Sequence, residues 1–496
     1  MAVKPVHSIR AEAASYKRRF PHVTAKRPMR IIVDLQAAQN DSSFRGVGRY
    51  SKSLLRAMVP LAKAHGHDVW LLLNGNFSET IEPLMREFAD VVPPERIAIF
   101  PGMAPVTETV AANEWRLRAA EHLREEFLAQ LRPDVVHVSS LFEGSVDDAV
   151  VSVGRTGIKL PTVVTLYDLI PWVLSQHYVT TPEYERFYFG KVDSLRRADL
   201  LLAISQHSAD EAVTLLQYPR DKVVNISAAI DDRFVCKTYL PQEAEEITSR
   251  YGIQKPFVLY MPGGFDPRKN FATLIDAYAL LPTHIRASHQ LVIGSNIKAA
   301  ERAALAAEVK RTGLSSDDVR VIGYVPDEDL VALYSLCRLH VFPSLYEGFG
   351  LPVLEALACG APTIASNTSS LPEVVGLDEA LFDPRSAQDL ANKMLHALAD
   401  VEFAAKLRRN GLAQARRFSW QRSATLALEA IERTFRPRDY SPINYKDEHG
   451  FVDAVLAALS ARPPQVAPMR QDIDLLRDSA KKAWAELRRL GGGPVR

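Results

Sequence analysis

Short, nearly unbroken apolar runs recur along this chain, each bounded by polar or glycine residues and followed by a stretch with helical spacing. The first is Met29–Leu35; a polar and glycine-containing loop follows it, then a helical stretch carrying Leu54, Leu55 and Met58. The same alternation returns at Asp68–Leu73, Asp134–Ser139, Thr162–Leu166 and Leu200–Ile204. Runs without in-and-out alternation suit strands covered on both faces, as crossover helices cover a parallel sheet. A strand with an aspartate-rich turn over 223–234 and an acidic helix over 242–251 separate this series from a second. There the strands are predicted at Phe257–Met261, Gln290–Ile293, Val319–Ile322, Leu339–Phe342 and Thr363–Ala365, with helical patterns such as Phe271–Leu281 between them.

The pattern predicts an α/β chain with two Rossmann-like domains facing a central cleft, over 29–235 and 236–418. A helix over 419–436 is expected to return towards the first domain, and a helical appendage fills 437–496. In the appendage Ile473, Leu476, Ala480, Ala483, Leu487 and Leu490 keep the three-and-four spacing of a packing seam. That seam either packs back on the enzyme or supports self-association or a protein partner through 472–490.

With 496 residues the chain is long enough for two cores. Sixty basic and 59 acidic residues leave a formal charge of +1, so no global charge points to nucleic acid. Charge is concentrated only at the start, where residues 1–30 carry eight basic side chains against Glu12 alone. The extension over 1–28 is read as a solvated tail or a contact to anionic membrane, with Ile9, Tyr16 and Phe20 as its apolar members. Three widely spaced cysteines suggest neither disulfides nor zinc, and no apolar run is long enough to span a bilayer. A cytoplasmic enzyme is expected, at most peripheral to the inner face of the cytoplasmic membrane.

Three clusters carry candidate chemistry. Arg45-Gly-Val-Gly-Arg-Tyr50 falls between the first strand and its helix, where Gly46 and Gly48 would let backbone approach an anionic ligand at the helix start. Taken alone, it equally describes a tight turn. Met261–Asn270 repeats the location with Gly263, Gly264 and two adjacent cations; Arg268 offers a planar fork and Lys269 a point charge to a departing diphosphate. The most specific is Phe342–Pro362, in which Glu347 lies in a glycine-rich loop and Glu355 about one turn into the next helix. Phosphate alone has no use for two acids there. A sugar nucleotide, with hydroxyls at both ends of a diphosphate, requires acids and cations together.

These motifs resemble glycosyltransferase family four, a group of retaining GT-B enzymes, over residues 29–436. Glu347 and Glu355 match its E-x7-E motif, and Gly-Tyr-Val-Pro at 323–326, Ser-Ser-Leu-Pro-Glu-Val at 369–374 and Phe-Ser-Trp at 418–420 match its surroundings. The resemblance implies that Glu347 holds the transferred sugar, with the backbone of Gly348, Phe349, Gly350 and Leu351 beside sugar and diphosphate. It implies Glu355 on the ribose diol, Tyr324 and Val325 at the nucleobase, Gly264, Arg268 and Lys269 at the diphosphate, and Gly46 and Gly48 closing over the phosphates.

Two positions depart from the family pattern. Tyr167 stands where many relatives have histidine, and its pKa near 10 suits hydrogen bonding rather than base catalysis. Asp168 is then the candidate for orienting the acceptor, with a helix cap as the structural alternative, and Arg49 is a further acceptor candidate. Gly263-Gly264 replaces the usual Gly-Arg dipeptide, so Arg268 must reach the phosphate from another position.

With both glutamates assigned to hydroxyls, same-face attack through an oxocarbenium-like transition state is expected, the leaving diphosphate helping to deprotonate the acceptor. Asp327-Glu-Asp329 and Asp472-Ile-Asp474 fit a helix start and the appendage, so no cofactor and no metal are expected. The motifs are similar to those of mannosyl- and rhamnosyltransferases of bacterial surface polysaccharides. GDP-mannose is the first donor suggested, with other deoxyhexosyl nucleotides second and a lipid-linked glycan as acceptor. The rival reading is a weakly active scaffold of a polysaccharide assembly complex.

Overall fold

The computed structural model describes residues 27–438, 448–461 and 464–491. The basic extension proposed to meet a membrane lies outside the described residues up to position 26. Among the described residues no helix is long and apolar enough to cross a membrane. The chain divides into two compact units, the first Met1–Thr165 with Thr181–Leu201 and Ala424–Arg496, the second Leu166–Thr180 with Leu202–Ser423.

Seven strands, β1 (Arg30–Asp34), β2 (Asp68–Asn74), β3 (Ile97–Phe100), β4 (Val135–Val138), β5 (Thr162–Leu166), β6 (Leu200–Ala203) and β7 (Val223–Asn225), form one sheet in the order β3-β2-β1-β4-β5-β6-β7. The pairs from β3 through β5 are parallel. Six more, β8 (Phe257–Tyr260), β9 (Gln290–Ile293), β10 (Val319–Val321), β11 (Leu339–Phe342), β12 (Thr363–Ser366) and β13 (Leu381–Phe382), form a parallel sheet in the order β10-β9-β8-β11-β12-β13. The runs that predict strands are buried along nearly their whole length, as β4, β5, β8 and β11 show. In each sheet the strand order reverses once, between β1 and β4 and between β8 and β11. Loops leaving such neighbours diverge, and ligands of α/β sheets bind in the crevice they leave.

Two strands are not foreseen by the apolar pattern. β3 is the four-residue run Ile97-Ala-Ile-Phe100 hemmed in by Pro93, Pro94 and Pro101, and β13 has two residues. Helix α1 (Gly46–Ala64) begins at Gly46, so both glycines of the first cluster sit within its first turn rather than in the loop before it.

Helix α2 (Glu114–Gln130) is buried along most of its length and bears an unusual load of charge. Its Arg124 is ion-paired to Asp34 at the end of β1, both at most 2% exposed. Helix α3 (Pro182–Arg196) supplies Lys191, 3.0 Å from Glu108.

The C-terminal segment belongs to this first unit. On the last long helix Leu476, Ala480, Ala483 and Leu487 are buried, and its polar side chains reach the edge of the sheet. The Ile99 amide donates to Glu486 at 3.0 Å, Arg489 donates to the Ile97 carbonyl at 2.8 Å, and the Ser479 hydroxyl donates to the Gly102 carbonyl at 3.0 Å. Side chains thus satisfy edge groups that would otherwise offer pairing to another strand. The seam is occupied within the chain, by packing on its own unit.

Within the same unit His65 and His67 both meet Glu432, at 2.7 and 3.0 Å. The spacing resembles a metal site. The Met29 amide, however, donates to His67 Nδ1 at 3.1 Å, which leaves the proton on Nε2, pointed at Glu432. A ring nitrogen carrying a proton is no metal ligand, so the group is a hydrogen-bonded tie.

Candidate functional site

The second unit brings its chemistry together where the order of its sheet reverses. β8 and β11 are neighbours, with Leu339 beside Val258 and His340 beside Leu259. The loop after β8 carries Arg268 and Lys269, and the loop after β11 carries Glu347. In the first loop Asp266 caps the 3-10 turn Pro267–Lys269 by accepting from the Arg268 amide at 3.0 Å. Asn270 then takes a left-handed conformation, φ 59°, which an Asx side chain tolerates, and donates to the carbonyls of Pro343 and Pro384. The two loops are thereby sewn together.

Both cations converge on one carboxylate. Lys269 Nζ lies 2.6 Å from Glu347 Oε1 and Arg268 Nη1 2.7 Å from Oε2; Ser344 adds a hydroxyl at 2.7 Å. Burial alone would raise the Glu347 pKa, but Lys269 and Arg268 overcome it and hold the carboxyl down at about 2. Arg268 also donates to the Tyr346 carbonyl at 2.8 Å. The cations expected at a diphosphate therefore rest on the acid expected at a sugar. Around Gly263, in the left-handed region at φ +76°, and Gly264, nothing stands within 4 Å of where a Cβ would project, so this backbone lies open.

Helix α6 (Leu351–Ala358) starts behind Glu347, with Gly350 at its N-cap at φ +100°, where an added Cβ would strike Leu371. The Glu347 amide donates to Ser369 Oγ and the Ser370 hydroxyl donates back to the Glu347 carbonyl, both at 2.9 Å. The Ser-Ser-Leu-Pro-Glu stretch therefore clamps the glutamate's own backbone. Glu355, in the second turn of α6, meets the Tyr334 hydroxyl at 3.4 Å. Phe349 turns inward and packs edge-on against Phe418 at 5.6 Å, leaving its backbone for the site. Val325 is only 6% exposed and belongs to the core with Phe257, Leu259 and Val292; the preceding Tyr324 is 69% exposed. The exposed side chain at that position is therefore Tyr324's.

Asp168 joins this group. A Cβ on Gly348 would sit 2.9 Å from Asp168 Oδ2 and 3.0 Å from the Tyr167 carbonyl, so only glycine lets the two segments touch. The other Asp168 oxygen accepts from the Ile170 amide at 3.0 Å, a turn just ahead of the short helix Ile170–Val173 whose N-cap is Leu169. Burial raises its pKa, against the pull of that amide and of Arg268.

Gly46, Gly48 and Arg49 lie in the first unit. Gly48 is needed for packing: a Cβ there would meet the Ser42 carbonyl at 2.5 Å and the Ala37 carbonyl at 2.9 Å. Close backbone approach explains it without a ligand. Gly46 and Arg49 are exposed on the first turn of α1. The two aspartate pairs considered for metal are engaged elsewhere: Asp327 with Arg233, Asp329 with Arg250, Asp472 with Arg116 and Asp474 with Arg477.

Sequence reasoning misses the supports of the site. Ser369, Ser370 and Glu373 lie in a stretch marked only by its resemblance. Glu211, His207 and Ser208, on helix α4 (Gln206–Thr214), give no spacing signal at all.

Two family models match the chain: a glycosyl transferase 4-like domain over residues 45–229 and glycosyl transferases group 1 over 243–414. Among curated proteins, the chain is 34% identical over 93% of its length to the serotype-specific mannosyltransferase WbdA of Escherichia coli, covering 53% of that protein. It is 38% identical over 48% of its length to the O-antigen chain mannosyltransferase B of the same organism, covering 62% of it. The chain thus spans roughly half to three fifths of the curated relatives it matches. Among solved structures, Anabaena Alr3699/HepE in complex with UDP and glucose aligns with a TM-score of 0.56 at 20% identity, over 82% of this chain and 99% of that one.

Proposed function

Because the chain is a GT-B glycosyltransferase, with a glycosyl transferase 4-like domain ahead of a glycosyl transferases group 1 domain, we propose that it moves mannose from GDP-mannose onto a glycan acceptor of a surface polysaccharide, with retention. The carrying observation is the convergence of Arg268 and Lys269 on Glu347 at the sheet reversal. Relatives named as mannosyltransferases support the sugar, and a fold neighbour holding UDP and glucose supports a nucleotide-sugar donor.

In this reading the diphosphate takes over the two cations, and the freed Glu347 carboxylate accepts hydrogen bonds from the sugar hydroxyls. While it rests on the two cations the carboxyl is held ionised, and as a carboxylate it is acceptor-only. Arg268 and Lys269 then face charge that grows as the sugar–phosphate bond breaks, where fixed cations lower the barrier most. Asp168 orients the acceptor hydroxyl, whose proton passes to the leaving phosphate as oxygen bonds to the anomeric carbon on the same face. Protein cations serve where a metal would otherwise neutralise the diphosphate, so no metal is needed.

The test incubates the chain with GDP-mannose and a mannose-terminated oligosaccharide, reading product mass and the anomeric proton by NMR. An α-linked mannosyl product formed in EDTA supports the reading. A β-linked product sinks retention, and loss of turnover in EDTA sinks metal independence. Turnover of UDP-, dTDP- or ADP-sugars with none of GDP-mannose sinks the donor.

A further inference from the structure

One helix touches both halves of the candidate site. Helix α4 is held at its start by the Glu373 carboxylate, which accepts from the amides of Gln206 at 3.0 Å and His207 at 3.1 Å, while the Ser205 hydroxyl caps the Ser208 amide. From this anchored turn Ser208 donates to the Tyr167 carbonyl at 2.7 Å and lies 3.3 Å from the Gly348 carbonyl. One turn further, Glu211 receives the Tyr346 hydroxyl in a short hydrogen bond, and His207 Nε2 lies 2.8 Å from that same hydroxyl. The Leu169 amide also favours the Glu211 carboxylate. So α4 grips the segment holding Asp168 and, through the residue before Glu347, the segment holding Glu347.

An acid in this place needs explaining. Glu211 is 6% exposed, faces no Lys or Arg of its own and has Asp168 as a like-charged neighbour. Its Oε2 is buried without a hydrogen-bond partner. A buried group so costly is retained where its geometry serves something else. Tyr346 has no freedom to turn away, because its carbonyl is fixed by Arg268 and its ring lies edge-on to His207 at 5.2 Å. The phenol therefore acts as a strut between Glu211 and the backbone of Glu347.

We propose that Glu211 is a positioning residue for sugar transfer: through the Tyr346 hydroxyl it fixes the Glu347 loop against the Asp168 segment, setting the spacing between the group that holds the donor sugar and the group that orients the acceptor. It touches neither substrate. The kinetic part rests on the proposed transfer; the structural part does not.

The test compares Glu211→Ala, Glu211→Gln and Tyr346→Phe in the full chain, by hydrogen exchange without ligand and by kinetics with GDP-mannose. Glutamine keeps an oxygen to accept from the phenol, so it should rescue. Exchange of the peptides spanning 345–350 and 167–171 should rise at least tenfold in Glu211→Ala and Tyr346→Phe, and stay within threefold of the parent in Glu211→Gln. In kinetics kcat should fall at least tenfold in the first two while the KM for GDP-mannose moves less than threefold. Unchanged exchange in Glu211→Ala, or an equal rise in Glu211→Gln, overturns the proposal even if GDP-mannose proves to be the wrong donor. A parent chain inert with GDP-mannose counts against the donor reading alone, and the exchange result then decides the role of Glu211.

Discussion

The two sheets reverse their strand order in the same way yet fill the place with opposite chemistry. Between β8 and β11 stand two cations and one acid, Arg268, Lys269 and Glu347. Between β1 and β4 the diverging loops are joined by amides and acids. Asn40 donates to Glu143 at 2.7 Å and to Asp147 at 2.9 Å, Ser42 and Ser140 donate to the same Glu143, and Asn74 donates to Gln36 at 2.8 Å. Arg124, a buried cation of that region, is ion-paired to Asp34 beneath them. Cations match a diphosphate, whereas amides and carboxylates match hydroxyls. On the proposed function, the donor's charge falls to the second unit and the hydroxyl-rich acceptor to the first. The contrast also shows that a buried ion pair is no functional signal in itself.

The largest effect should come from the pair that is structural. Asp34→Ala leaves the Arg124 guanidinium buried without its counter-charge, and about 3–5 kcal/mol of stability should be lost, measured by urea denaturation. A loss under about 1 kcal/mol would mean that the first unit's charges are as replaceable as those of an exposed surface. Next in size is Glu347→Gln, which keeps shape but removes the charge and one acceptor. Transfer should fall about 100- to 1000-fold in kcat, or about 3–4 kcal/mol, with the fold intact by circular dichroism. Full activity would remove Glu347 from the chemistry.

A smaller effect separates the two loop sets. Asn40→Ala releases Glu143 and the loop over 139–150, so the KM for the acceptor glycan should rise about tenfold, or about 1.4 kcal/mol, with the KM for donor unchanged. If donor KM rises instead, the division of labour between the two sheet reversals is wrong.

What can be read from the sequence follows the physics of each signal. Strands buried on both faces announce themselves because apolar residues run through them with few polar interruptions, so β5, β9 and β11 are legible to the residue. β3 is not, since four residues between prolines read equally as loop. Glu347, Arg268 and Lys269 are legible because glycines and like charges at fixed offsets in one short segment are uncommon. Their arrangement is not: nothing in the order of residues says that the cations rest on the glutamate. Glu211 and Glu373 are invisible for the same reason, being acids on ordinary polar helix faces whose partners lie 135 or more residues away in the chain.

The smallest effect is a pH dependence that tells the units apart. Burial pushes Glu211 up to about 7, against the donation from Tyr346, and pushes Glu121 of α2 up to about 7 as well, against Arg118. A carboxyl whose folded pKa lies above its unfolded value near 4.5 binds its proton more tightly when folded, so its contribution is fully present below pH 4.5 and is lost as pH rises through 7. Between about pH 6 and 8 each should cost about 1 kcal/mol. Asp168, the like-charged neighbour of Glu211, is raised by burial in the same direction and adds to the decline. His207 is held below its ordinary value by burial, and Tyr346 far above its own. His137 and His340, buried down to about 4 and about 3, are already neutral throughout the window. In urea titrations at pH 6, 7 and 8, Glu211→Gln and Glu121→Gln should therefore each show a smaller decline than the parent. A parent chain with equal stability at pH 6 and 8 would show that both acids are ionised at modest cost, and Glu211 would then be a solvated partner of Tyr346 rather than a desolvated one.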